Sequence, residues 1–156
     1  MMGDDMPNCE LNHAPKDFMH FGYPFCHEGS LPDPEFGKGQ DCSKYTAPVA
    51  KMGAHTAPLG IRYIRSPQLP EPYNEAFLIA RHGSWNRTEK SGYDVQMVKT
   101  NASGQFISMQ PFITGWLSKD KKEVWGRPVD IQLLSDGTIL ISDDYANCIY
   151  RVSYKQ

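Results

Sequence analysis

The sequence predicts an all-β chain built as a blade-type array of antiparallel sheets, and three observations carry that expectation. From residue 57 onward, short apolar or alternating runs follow one another with no helical periodicity between them, which argues for a meander rather than for βαβ units. Thirteen glycines and twelve prolines in 156 residues make turns frequent. The text from Arg127 to Lys155 also repeats the text from Ala57 to Thr100. Self-similarity of strand–turn–strand units at this spacing is the mark of an array such as a β-propeller.

Residues 1–56 carry little periodicity and are expected to be loop-rich. Gly3–Asn12, GDDMPNCELN, gathers acidic and amide oxygens that could hold a hard cation. It lacks the alternating acids and closing Glu of an EF-hand, and a merely solvated acidic loop is the alternative. Met19–His27 looks like a strand running into a turn. Ser30–Cys42, with two X-Pro steps and several turn formers, excludes regular structure.

The regular part begins at Ala57–Ile64, a strand, followed by the loop PQLPEPYN (67–74). Glu75–Gly83 is the next strand. Gly92–Thr100 alternates with period two, Tyr93, Val95 and Met97 against Asp94 and Gln96, with Val98 on the far face. Gly104–Trp116 completes a first blade, 57–116. In the second block Arg127–Leu134 parallels the first strand, with Pro128 under Pro58 and Ile131 under Ile61. An Asp136-Gly137 turn leads into Thr138–Asp144, and Asn147–Lys155 follows. This makes 127–156 an incomplete last blade and 1–56 the end of a preceding one. Two blades cannot close a ring, so the chain reads as a fragment or an incomplete gene product.

The stretch Phe77–Arg87, FLIARHGSWNR, concentrates the chemistry. An apolar run gives way to Arg81, His82, Gly83, Ser84, Trp85, Asn86 and Arg87. Guanidinium forks clamp carboxylates, and an indole offers a stacking face, so the cluster suits a planar anionic ligand. The competing reading is a surface loop in which Trp85 caps the core. Arg127 stands at the mouth of the first strand of the second block, where pairing with Asp130 or Asp143 is the structural alternative. In the repeat, Arg81 and His82 occupy the places of Asp143 and Asp144.

Net charge is −2, and the Lys119–Lys122 patch is interrupted by Asp120, so no nucleic-acid footprint is expected. No apolar segment approaches membrane-spanning length. The N-terminus MMGDDMPN lacks the layout of a secretory signal. The four cysteines fit no zinc template. Cys26 and Cys42 bracket a loop rich in Pro, Gly and Asp and are expected to form a disulfide; two free thiols in a cytosolic protein is the alternative. The Asn-X-Ser/Thr sequons at Asn86 and Asn101 are read as accidental.

Taken in order, GDDMPNCELNHAP, FGYPFCHEG, DPEFGKG, APLGIRY, FLIARHGSWNR, GYDVQMVK, FITGW, WGRPVDI and DGTILISDDYANCIYRVSY resemble the C-terminal part of sorbosone-dehydrogenase-like proteins. That group is similar to the soluble glucose dehydrogenases that use pyrroloquinoline quinone (PQQ). The resemblance implies a six-bladed β-propeller with PQQ and Ca²⁺ on its axis. It implies oxidation of sugars or sugar aldehydes by hydride transfer to the quinone, with a cytochrome or quinone as electron acceptor and a periplasmic or secreted location. By the same resemblance Arg81, His82, Trp85, Asn86, Arg87 and Arg127 line the cofactor site, and Gly3, Asp4 and Asp5 hold the catalytic calcium. His82 is the candidate base within this chain, although the relatives' base comes from an early blade. Cys9 stands where the family commonly carries an acid, which argues against a second calcium site, and Val129 stands where the glucose-oxidising relatives carry a second arginine, so their sugar specificity is not carried over. A non-catalytic propeller that binds a glycan or protein partner is the rival.

Overall fold

The structure, a computed structural model, describes residues 2–155. Eleven strands are present among them: β1 Asn8–Leu11, β2 Cys26–His27, β3 Leu31–Pro32, β4 Ala50–Ala54, β5 Pro58–Ile64, β6 Ala76–Arg81, β7 Asp94–Thr100, β8 Phe106–Ile113, β9 Pro128–Leu133, β10 Ile139–Asp143 and β11 Cys148–Val152. They form four separate antiparallel sheets: β1-β4, β2-β3, β5-β6-β7-β8 and β11-β10-β9. The all-β expectation and the meander order hold. The propeller does not: among the described residues there are small sheets and no ring.

The four-stranded sheet lies between two others, and its sequence shows why. On β6, Ala76, Leu78 and Ala80 face one cluster, with Val95 and Met97 of β7 and with Ile131, Ile139 and Ile141 of the three-stranded sheet. Ile79 and Val98 point the other way, onto Ala50 and Met52 of β4. A strand covered on both faces reads as a continuous apolar run rather than as an alternation, which is what FLIA is. Burial of these side chains is worth about 1.5–3 kcal/mol for each large aliphatic.

The repeat is real at the level of register. Pro58 pairs with Arg81 and Pro128 with Asp143, and each hairpin has an irregularity just inside that pair. The two first strands touch at Gly60, where an added Cβ would lie 2.6 Å from the Asp130 Cα. Arg62 spans the same seam, donating from Nε to the Ile131 carbonyl at 3.1 Å and from Nη2 to Gln132 Oε1 at 3.0 Å.

The loop-rich third holds more order than its composition suggested. β1 and β4 pair across almost forty residues of intervening chain, and β4 covers the middle of the four-stranded sheet. Only Cys26–His27 of the stretch 19–27 is strand. The Cys26–Cys42 disulfide forms, with Cα atoms 5.7 Å apart; Cys9 and Cys148 are free thiols.

Candidate functional site: a cationic depression beside His82 and Asp144

The chain leaves β6 at Arg81 and returns to β7 through the loop 82–93. The loop is anchored to the preceding turn by His82 N–H donating to the Ala57 carbonyl (3.0 Å) and Gly83 N–H to the Thr56 carbonyl (2.9 Å). Gly83 has φ +98°, and a Cβ there would strike the Tyr93 ring at 2.5 Å; only glycine fits both constraints. The Tyr93 hydroxyl donates back to the Ser84 carbonyl. The loop is therefore stiff at its base.

His82 and Asp144, which the repeat places at equivalent positions, meet directly: Nε2 lies 2.8 Å from Asp144 Oδ1. The His82 side chain is 16% exposed and that of Asp144 61%. The hydrogen bond from His82 holds the Asp144 carboxyl below its ordinary value, and the nearby Arg127 charge adds to this. Asp144 is thus a carboxylate, and it orients the imidazole with Nε2 as the bonded nitrogen.

Arg127 lies alongside. Its Nε donates to the His82 carbonyl (3.1 Å) and its Nη2 to the Gly83 carbonyl (2.8 Å), with the guanidinium carbon 5.6 Å from the Tyr93 ring centroid. The alternative pairing with Asp130 or Asp143 does not occur: the Asp130 Oδ1 accepts from Ile131 N, and Asp143 accepts from the amides of Tyr145 and Ala146 and from the Tyr150 hydroxyl. Arg127, Lys90 and Lys122 together with Tyr93, Tyr145 and Val124 line one depression. Three cations meet there, and none of the lining side chains described is a carboxylate. Such a surface attracts an anion: guanidinium and ammonium groups meet its carboxylates, and the exposed Tyr145 ring offers a face, while Tyr93 is buried beneath Arg127.

The remaining site candidates are placed differently. Arg81 does not converge with Arg127. Its Nε and Nη2 grip Asp94 (2.6 and 2.5 Å) and its Nη1 donates to the Met52 carbonyl (2.8 Å), in the seam against β4. The paired-arginine grip expected from the sequence is therefore absent, because Asp94, one strand over on the same face, claims the guanidinium. Arg87 is also committed, donating to Asp5 Oδ1 (2.9 Å) and to the Glu89 carbonyl (3.0 Å). Trp85 stands out from the loop, 80% exposed, so it caps no core. Asn86 is partly buried in the same loop.

The calcium expectation meets a similar obstacle. Asp4 accepts from Thr88 N (3.1 Å), Asp5 from Arg87, and the Gly3 carbonyl lies 2.8 Å from His55 Nε2. The bonds from Thr88 hold Asp4 below its ordinary value. Among the described residues no group of three or more His, Cys, Asp or Glu side chains is arranged to hold a metal. With a guanidinium already on Asp5, these three residues do not fit a calcium site.

Sequence reasoning missed Lys90, Lys122 and Tyr145, which sit in loops with no pattern. It could have found the His82–Asp144 contact, since the repeat alignment put the two residues at matching places on adjacent sheets.

Residues 6–155 match the TrAA12-like family. An uncharacterized protein of Borreliella burgdorferi is 35% identical over 157 residues, covering 99% of this chain and 41% of that protein. The iodide structure of the Trichoderma reesei Carbohydrate-Active Enzymes Family AA12 protein superposes with a TM-score of 0.75 at 20% identity, over 95% of this chain and 44% of the other. The holo form of the pyranose dehydrogenase PQQ domain of Coprinopsis cinerea gives 0.68 at 19% identity, over 98% and 46%. The chain thus spans less than half the length of these relatives, and the two structures share its fold. The match overturns the resemblance to sorbosone dehydrogenases and soluble glucose dehydrogenases. The chain belongs to the TrAA12-like family.

Proposed function

We propose that this domain contributes to the oxidation of a sugar by a planar, polycarboxylated quinone, PQQ as in the Coprinopsis domain. The observation that carries the reading is the depression lined by Arg127, Lys90 and Lys122 together with the exposed Tyr145 ring. A tricarboxylate needs several cations within reach and a flat flank, and here three cations and an exposed phenol ring line one depression, with Asp144 held on His82 beside it. When bound, the quinone supplies the two-electron acceptor for the hydride leaving the sugar carbon.

His82 is the proposed base. Asp144 occupies Nε2 and leaves Nδ1 to accept the hydroxyl proton as the C–H hydride departs. The sugar thereby loses two electrons and two hydrogens, one as hydride and one as proton. Trp85, Asn86 and Arg87 belong to the loop that frames the site rather than to its charged floor. An extracytoplasmic location, supported by the Cys26–Cys42 disulfide, and a cytochrome or quinone that re-oxidises the cofactor complete the proposal.

Titrating the full chain with PQQ and following the cofactor's absorbance tests the reading. A saturable spectral change is expected, weakened at least tenfold in Arg127→Met, the loss of about one charge-assisted contact. No change with the wild-type chain, or an undiminished one in a variant lacking Arg127, Lys90 and Lys122 together, overturns it.

A further inference from the structure

We infer that a second depression, bordered by Tyr23 and Phe36 and floored by His27, His55 and Asn8, is a subsite for a neutral pyranose unit. The inference rests on the sugar-oxidising reading for its ligand class and on this depression's own chemistry for its place.

Two large rings are presented to solvent here, Tyr23 at 79% and Phe36 at 52% exposure. They are not loose. Asp33 Oδ1 accepts from the amides of Phe36 (2.8 Å) and Glu35 (2.9 Å), and its Oδ2 lies 2.8 Å from His27 Nε2. Gly37 is packed so tightly that a Cβ would sit 2.5 Å from both Asp33 N and Asp33 O. The Cys26–Cys42 disulfide closes the same loop. Exposed aromatic rings on a rigid frame lose little freedom when they bind.

The polar complement selects the ligand. Neither lysine nor arginine is among the lining residues described, in contrast to the depression at Arg127. The polar groups that line it are hydrogen-bonding ones: the Tyr23 hydroxyl, the Asp33 and Glu35 carboxylates, and the Nδ1 edges of His27 and His55, whose Nε2 atoms are taken by Asp33 and Gly3. Ring faces for C–H surfaces with carboxylate and imidazole acceptors for hydroxyls suit a polyol ring, not an anion. The place also makes sense. His55 reaches Gly3, and the next two residues, Asp4 and Asp5, dock on Thr88 and Arg87 of the loop that carries His82. The depression is thus tied through Gly3–Asp5 to the loop that carries the proposed base.

Saturation-transfer NMR of the full chain with methyl α-D-glucopyranoside, which has no free anomeric hydroxyl, reads binding without turnover or cofactor. Transfer to the glycoside ring protons is expected, with affinity about tenfold weaker in Tyr23→Ala and in Phe36→Ala, the loss of one ring contact. Both side chains are exposed, and retention of the wild-type melting profile confirms folding. No transfer in the wild type, or loss in Trp85→Ala with none in Tyr23→Ala, overturns the inference. Because PQQ is absent, failure here leaves the absorbance titration standing, and failure of that titration with glycoside binding intact removes the quinone reading alone.

Discussion

Replacing Asp94 by alanine removes the carboxylate that Arg81 grips with two N–H groups and that Gln96 Nε2 also donates to at 2.7 Å. The Arg81 and Asp94 side chains are only 15% and 11% exposed, in the seam between the four-stranded sheet and β4. The guanidinium would keep only its bond to the Met52 carbonyl. Leaving one partner of a desolvated pair uncompensated costs about 3–5 kcal/mol, whereas removing both with apolar side chains of similar volume is close to neutral. For a chain of this length about 1 kcal/mol moves the melting midpoint by roughly 2–4 °C. Asp94→Ala should therefore lower the midpoint by roughly 10 °C, and Arg81→Met/Asp94→Leu should recover most of it. Urea or thermal denaturation followed by circular dichroism measures both. The same double variant should bind PQQ like the wild type, because Arg81 lies outside the cationic depression. A midpoint shift under about 2 °C for Asp94→Ala would refute the energetic argument. Loss of PQQ binding in a stable double variant would refute the structural role of Arg81.

Two further outcomes follow from the N-terminal third. Bonds from His27 and from the Phe36 and Glu35 amides hold Asp33 down at about 2, against an ordinary value of 3.8. A depressed carboxyl stabilises the fold fully above its unfolded value and loses that contribution as pH falls through the folded one. Asp33→Asn should thus melt below the wild type at neutral pH, with the gap closing between about pH 4 and pH 2; a gap constant over that range contradicts the assignment. Reducing Cys26–Cys42, or replacing both by serine, should cost roughly 3 kcal/mol for a loop of this size. Unfolding with and without reductant measures it, and coincident curves would show that the loop is held by its other contacts.

Local chemistry was legible where a residue's neighbours along the chain decide its state. FLIA announced a strand buried on both faces, the Asp136-Gly137 turn closed the β9–β10 hairpin, and the Pro/Gly/Asp loop announced its own disulfide. The repeat foretold that Pro58 and Pro128 would hold equivalent register. The β1–β4 pair was not legible, because its strands are short, carry no alternation, and find each other only across a long loop. The resemblance named the wrong family because motifs such as ARHGSWNR record a local cluster rather than the family that uses it.

By itself the sequence determined an all-β meander, its turns, the disulfide and the loop on which a site would be built, because hydrophobic period and turn chemistry are properties of contiguous residues. Which cations are available to a ligand was decided by tertiary structure alone. Arg81 and Arg127 look alike in the text, yet one is taken by a carboxylate on the adjacent strand and the other is held by two carbonyls at the edge of an open depression. A guanidinium binds the nearest well-placed acid, and nearness across strands is written only in the folded chain.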